Sequence, residues 1–278
     1  MKIKMLSLVV IFLLLISYNY QKNSAIEVID DPPKVIDVIV KPSLQLYPVV
    51  KYRNTGTDIY SDIFNHSKQD PYTKSSRRIN AHETSHGITS ELRKYYETLW
   101  KTKLNVFYVL NSKCIILNES KSTMSQVIEY IPPILRSYRY NLYFVEQIKN
   151  WDDMPSYILD EWNSYILGSM VAVEDYENNM PQDRGDAVSG CLDFSIYAVC
   201  FAMSVKHNDP EYYSEYKEFK EAIKYLLILA EKTFNKGMTI EPFVTATQIK
   251  LLNDLRTHKD AQDIRQFLID EFDGIFVK

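Results

Sequence analysis

Glycine is scarce in this chain, at 7 of 278 residues or about 2.5%, against an ordinary share near 7%. Few positions are therefore free to take the positive-φ turns of tight hairpins. That predicts a helix-rich protein and excludes collagen-like or glycine-linker architecture. Cysteine is almost as rare. Cys114, Cys191 and Cys200 allow at most one intrachain bridge, which excludes a disulfide-stapled scaffold. Cys191 and Cys200 fall in one helical stretch on opposite faces, at about 100° per residue, so they do not pair with each other. A bridge from Cys114 to either, or free buried thiols, are the remaining possibilities. An excess of one charge is also missing: 32 basic against 36 acidic residues give a formal −4. The basic residues are scattered, which argues against a nucleic-acid-binding face.

The apolar run Leu6–Ile16 is eleven residues long, short of the roughly 20 needed to cross a bilayer as a helix. Behind Lys2 and Lys4 it reads as the core of a secretory signal. Residues 1–24 are then a signal peptide or an uncleaved anchor, and 25–278 a single exported domain. The small residues nearby are Ser17, Ser24 and Ala25, without an A-x-A cleavage pattern. Asn65-His-Ser67 and Asn118-Glu-Ser120 are glycosylation sequons, relevant only in a compartment that glycosylates.

What is present is a core. Apolar residues make up 46% and aromatics 13%, enough for a packed domain. Residues 26–50 carry short β-branched runs between prolines, as edge strands do. Asn105–Leu117 reads as a hairpin around Asn111-Ser112. Helices are expected near 122–131, 133–149, 155–176, 187–205, 211–235, 243–257 and 260–272, punctuated by Pro155, Pro181 and Pro210. The fold class is α+β, with a small sheet and many helices.

Residues 79–88 contain His82-Glu83-Thr-Ser-His86. On a helix, positions i and i+4 lie about 40° apart, so both imidazoles leave one face. That spacing suits two ligands of a tetrahedral Zn²⁺, with Glu83 in reach of a bound water as general base. Ile88, Leu92, Tyr95 and Leu99 form a stripe away from that face and are expected to dock into the core. The bland alternative is two hydrogen-bonded surface histidines.

A catalytic zinc site needs a third protein ligand. The long variant with a third histidine is absent, because Thr89 and Leu92 stand where it needs Gly and His. His207 and His258 lie in polar, remote stretches. Glu161 is the best carboxylate: it falls on the Ile158, Trp162, Tyr165, Gly168 face, and an acid on such a face is buried and needs a cation. Asp160 is the runner-up. An arginine, Arg139 or Arg184, is the alternative partner for Glu161.

His82-Glu-x-x-His86 with Glu161 on a later helix resembles the gluzincin group of zinc metallopeptidases. The segments Ala-His-Glu-Thr-Ser-His-Gly-Ile and Leu-Asp-Glu-Trp-Asn-Ser-Tyr-Ile-Leu-Gly are similar to those of uncharacterised secreted bacterial zincin-like proteins. The resemblance covers about 25 residues. It implies a zincin-like fold with a small twisted sheet, an active-site helix and a helical half bearing the third ligand. It also implies a peptide or protein substrate laid along a sheet edge, supplied by Val106–Leu117 or the N-terminal strands. The sequence departs from thermolysin-like enzymes at Tyr165, where they carry an Asp that supports the first histidine.

Candidate donors to a developing oxyanion are Tyr165, Tyr157 and Arg93. Arg93 shares the His82 face, about 20° away. Asp193, alone in the apolar run 187–203, is expected either to orient one of the histidine rings or to pair with Arg139 or Arg184. The competing reading for the whole chain is a non-catalytic binding or structural protein on the same scaffold.

Overall fold

The computed structural model describes residues 44–70, 75–180 and 185–278. The expected signal peptide or anchor at 1–24, the expected strands before residue 44 and Arg184 lie outside those residues. Residues 41–278 form one compact unit. Among the described residues no helix is long and apolar enough to cross a membrane.

The chain enters through a short strand β1 (Tyr47–Pro48), a helix α1 (Ile59–Asn65) and the long helix α2 (Arg77–Trp100). Ser76 caps α2, its side chain accepting from the Ile79 amide. Strands β2 (Asn105–Tyr108) and β3 (Lys113–Leu117) follow as the expected hairpin. They pair antiparallel, Asn105 opposite Leu117, in a three-stranded sheet of order β1-β3-β2. The turn takes positive φ at Leu110, Asn111 and Ser112 without using a glycine. Side chains of α1 hold it there. The Asp62 carboxylate accepts from the Asn111 amide at 2.9 Å and the Tyr108 hydroxyl at 2.6 Å. His66 Nε2 meets the Ser112 hydroxyl at 2.8 Å.

Helices fill the rest: α3 (Met124–Ile128), α4 (Tyr138–Tyr140), α5 (Ile148–Trp151), α6 (Tyr157–Glu177), α7 (Ser189–Asn208), α8 (Pro210–Glu215), α9 (Lys217–Gly237), α10 (Ala246–Thr257) and α11 (Gln262–Phe272). The architecture is α+β, helix-rich with a small antiparallel sheet. The single helix expected over 133–149 is instead a 3₁₀ turn at Pro133–Leu135, α4, a π-helical stretch Asn141–Glu146 and α5. Pro132 and Pro133 cannot supply the amides of a continuous helix, and Ser137 starts a new one by capping. The stretch 211–235 is split at Tyr216.

Two apolar clusters make the core, and α6 serves both. Ile158, Trp162 and Ile166 pack with α7 and α9, whereas Leu167 and Val171 pack with α2 and the sheet. A helix covered all round carries its polar residues inward as well, and Glu161, Asn163, Ser164 and Ser169 are buried. The α2 stripe is corrected beyond Leu92. Tyr95 and Leu99 are 40% and 45% exposed, and Tyr96 is the buried residue at 3%. The sheet lies on that side, and the Tyr96 hydroxyl donates to the Pro48 carbonyl at 3.1 Å. All three cysteines are free and buried. Asn65 is buried too, its side-chain oxygen accepting from Thr55, so this sequon offers no surface to a glycan; Asn118 is exposed.

Candidate metal centre

Helices α2 and α6 cross where Gly168 faces α2. A Cβ there would stand 3.0 Å from the Arg78 carbonyl oxygen and 3.5 Å from the His82 Cβ. The missing side chain lets the two backbones close up beside the histidines. His82 and His86 leave α2 on one face, and Glu161 comes from the first turns of α6, whose N-terminus is met by the Glu119 carboxylate through the Ser156 amide and hydroxyl.

The two Nε2 atoms stand 3.2 Å apart. Glu161 Oε2 is 3.7 Å from His82 Nε2 and 3.6 Å from His86 Nε2. One ligand atom from each of the three lies within 4.8 Å of the others. Two donors at about 2.05 Å from a tetrahedral ion are separated by about 3.3 Å. The spacing of this trio is therefore that of a zinc-sized ion's donor set, and the residues fit such an ion.

The surroundings orient each donor. His86 Nδ1 meets Asp160 Oδ2 at 3.0 Å, which leaves Nε2 turned toward the other two donors. Glu161 Oε2 accepts from the Tyr143 hydroxyl at 2.8 Å, and Oε1 accepts from the Tyr157 hydroxyl at 2.5 Å. No arginine contacts Glu161 among the described residues: Arg139, its expected alternative partner, is bound to Asp193 at 2.6 Å and Asp186 at 3.0 Å. Of the two roles expected for Asp193, ring orientation or an arginine pair, the structure shows the second. Asp193 is no histidine-orienting group but half of a buried ion pair on α7, and Asp160 takes the orienting place. The His82 ring packs edge-on against Tyr165 at 4.5 Å. Tyr165 stacks on Phe194 and sits beside Arg139, in space that Gly190 leaves open.

Charge within the trio is unequal. Burial lowers both histidines. In His82 it is joined by the positive charge of His86 and carries the pKa down to about 3. In His86 the Asp160 and Glu161 carboxylates outweigh burial and raise the pKa well above its ordinary value. Burial alone would raise Glu161, but the imidazoles and the Tyr157 hydroxyl carry it down to about 2. A buried carboxylate thus stays ionised by sharing its site with positive charge, as a metal ligand must. Glu83 is solvent-accessible on the same helix, yet the protein packed around its carboxyl group partly strips it of water, and this with the Glu161 charge raises its pKa against the pull of His86.

Arg78, Ile79, His82, Glu83, Tyr165 and Gly168 line a hollow of about 150 Å³ beside the trio. Glu83 and Tyr165 therefore share one open space with His82. Tyr157 and Arg93 do not line it. Tyr157 is engaged by Glu161, and Arg93 borders a separate cleft with Asp160. Tyr143 escaped the sequence reading. It stands on the π-helical stretch, where side-chain spacing departs from the α-helical period, and among 21 tyrosines nothing local marks it. No family model, curated protein or solved structure matches this chain.

Proposed function

We propose that this protein is a zinc-dependent metallopeptidase of the zincin type, exported through its N-terminal segment and acting on a peptide or protein. The observation that carries the reading is the convergence of His82, His86 and Glu161 at tetrahedral donor spacing, with Glu83 free at the mouth of the same hollow. A structural metal site has no use for that fourth group.

His82, His86 and Glu161 hold the ion, and Asp160, Tyr143 and Tyr157 fix their orientation. Zinc in such a site supplies Lewis acidity, which brings deprotonation of a water near neutral pH. Glu83, with its pKa raised, takes the water proton and returns it to the leaving amine. Tyr165 lines the same hollow, with the Arg139 guanidinium beside its ring, and its hydroxyl is the proposed donor to the carbonyl oxygen as negative charge grows there. The substrate backbone runs along β2, an outer strand of the sheet.

The test is metal analysis of the purified full chain beside Glu83→Gln and Glu161→Ala, with a mixed peptide pool as substrate. Wild type and Glu83→Gln should each retain about one zinc per chain. Hydrolysis should fall about 10²–10⁴-fold in the Glu83 variant. Glu161→Ala should lose zinc on dialysis. Equal hydrolysis in wild type and Glu83→Gln, or no bound zinc in wild type, overturns the reading.

A further inference from the structure

A second, shallow cleft of about 20 Å³, partly open to solvent, is lined in part by residues that hold the metal centre, Tyr157 and Asp160. One wall is the outer strand β2, at Asn105–Phe107. The opposite wall is Trp151, Met154 and Tyr157. Trp151 and Tyr157 stack face to face at 3.9 Å, and Tyr157 is the residue whose hydroxyl holds Glu161. Asp160, which holds His86, closes the end nearest the trio.

Arg93 stands in this cleft, half-buried on α2. Among the described residues its guanidinium has no hydrogen-bond or ion-pair partner. Asp160 shares the cleft: its Oδ2 meets His86 at 3.0 Å, its buried Oδ1 has no hydrogen-bond partner, and it makes no ion pair with Arg93. This contrasts with Arg77 and Arg139, which are each paired with two carboxylates. A half-buried guanidinium with five donors and no bound partner, in a cleft it shares with aromatic residues and a strand edge, can take a planar anion on its fork.

We infer that Arg93 is a specificity-determining residue that receives a substrate carboxylate, so the preferred substrates are peptides with an acidic group close to the cleaved bond. The inference rests on the peptidase reading for its chemistry. The spacing sets where that acid must lie. Arg93 is seven residues beyond His86, about 10 Å along the helix, and helical side chains lean back toward the N-terminus. An extended peptide advances about 3.3 Å per residue. The carboxylate therefore belongs two or three residues from the scissile carbonyl. It can come from an Asp or Glu side chain or from a free C-terminus, which present the same group to the fork.

The experiment gives the zinc-loaded full chain matched peptide sets. In one arm Asp or Glu is replaced by Asn or Gln; in the other the free C-terminus is replaced by an amide. Cleavage is followed by mass spectrometry, and binding of the same peptides to zinc-loaded Glu83→Gln protein by fluorescence anisotropy. Acids should be preferred to matched amides about tenfold or more in kcat/KM and in affinity, in whichever arm names the source. Arg93→Gln, with zinc content unchanged, should bring that ratio close to one. Hydrolysis with no acid preference, or with a preference that survives Arg93→Gln, overturns the role of Arg93 and leaves the peptidase reading intact. Acid-selective, Arg93-dependent binding with no hydrolysis of any peptide overturns the peptidase reading and leaves the carboxylate site standing. Loss of both overturns both.

Discussion

His86 is gripped on both sides of its ring by neighbouring residues of one helix. Asp160 takes Nδ1 at 3.0 Å, while Glu161 lies 3.6 Å from Nε2. Adjacent residues on a helix diverge by about 100°, so two consecutive acids can straddle an imidazole that enters between them. In the proposed centre Asp160 is the orienter and Glu161 the ligand. Asp160→Asn keeps the size of the side chain and removes the charge that fixes the ring. It should weaken zinc retention about 10–100-fold, read by chelator competition on the folded variant. Retention equal to wild type would show that the ring is held by packing alone. At this scale the two histidines and Glu83 are legible in sequence because i, i+4 spacing is a property of the helix itself. Glu161 is legible as a buried acid because it falls among Ile158, Trp162 and Gly168, where it needs a cation, a metal or an arginine. The division of labour between Asp160 and Glu161 is not, since it depends on the height at which α2 crosses α6.

That crossing is decided by elements rather than single groups. Gly168 admits the Arg78 carbonyl and the His82 side chain into contact with α6, and even a methyl there would meet the carbonyl oxygen at 3.0 Å. Gly168→Val should cost about 1–3 kcal/mol of stability and weaken the proposed zinc binding with it, because the histidines ride on the displaced helix. Gly87 lies in the interior of α2 with nothing within 4 Å of an added Cβ. Gly87→Ala should stabilise the protein by up to about 1 kcal/mol. Thermal melts of both variants, with and without zinc, test the pair, and similar shifts in the same direction would refute the assignment of close packing to position 168. Sequence periodicity located α2, α6 and α7 well, because their apolar residues recur over many turns. It misread 133–149, where an apolar run follows two prolines and passes through a π-helical turn. It also continued the α2 stripe to Tyr95 and Leu99, whereas the sheet covers Tyr96.

Across the whole molecule, charged side chains tie distant segments together. Arg77, on the first turn of α2, binds Asp58, the N-cap of α1, and Asp175 on α6. Burial would raise the Asp58 pKa, but hydrogen bonds from Ser61 and Arg77 outweigh it and leave the carboxyl below its ordinary value. The folded pKa is thus below the unfolded value of about 3.9. The stabilisation is complete above that value and is lost as pH falls through the folded one. Denaturation of wild type and Asp58→Asn between pH 6 and pH 3 should show their stability difference shrinking below about pH 4; a difference constant across that range would refute the ion pair. On the other side of α6, Arg139 joins α4 to α7 through Asp193 and reaches Asp186. By itself the sequence determined what depends on near neighbours: the helical content, the hairpin, the paired imidazoles with their acid, and the need of one carboxylate for positive charge. The tertiary structure alone decided which carboxylate orients a ring and which faces the other donors, that Tyr143 steadies Glu161, that Asp193 belongs to Arg139, and that Arg93 has no partner among the described residues. Those outcomes turn on contacts between residues far apart in the chain, and such contacts exist only once helices of fixed period have packed at one angle and one height.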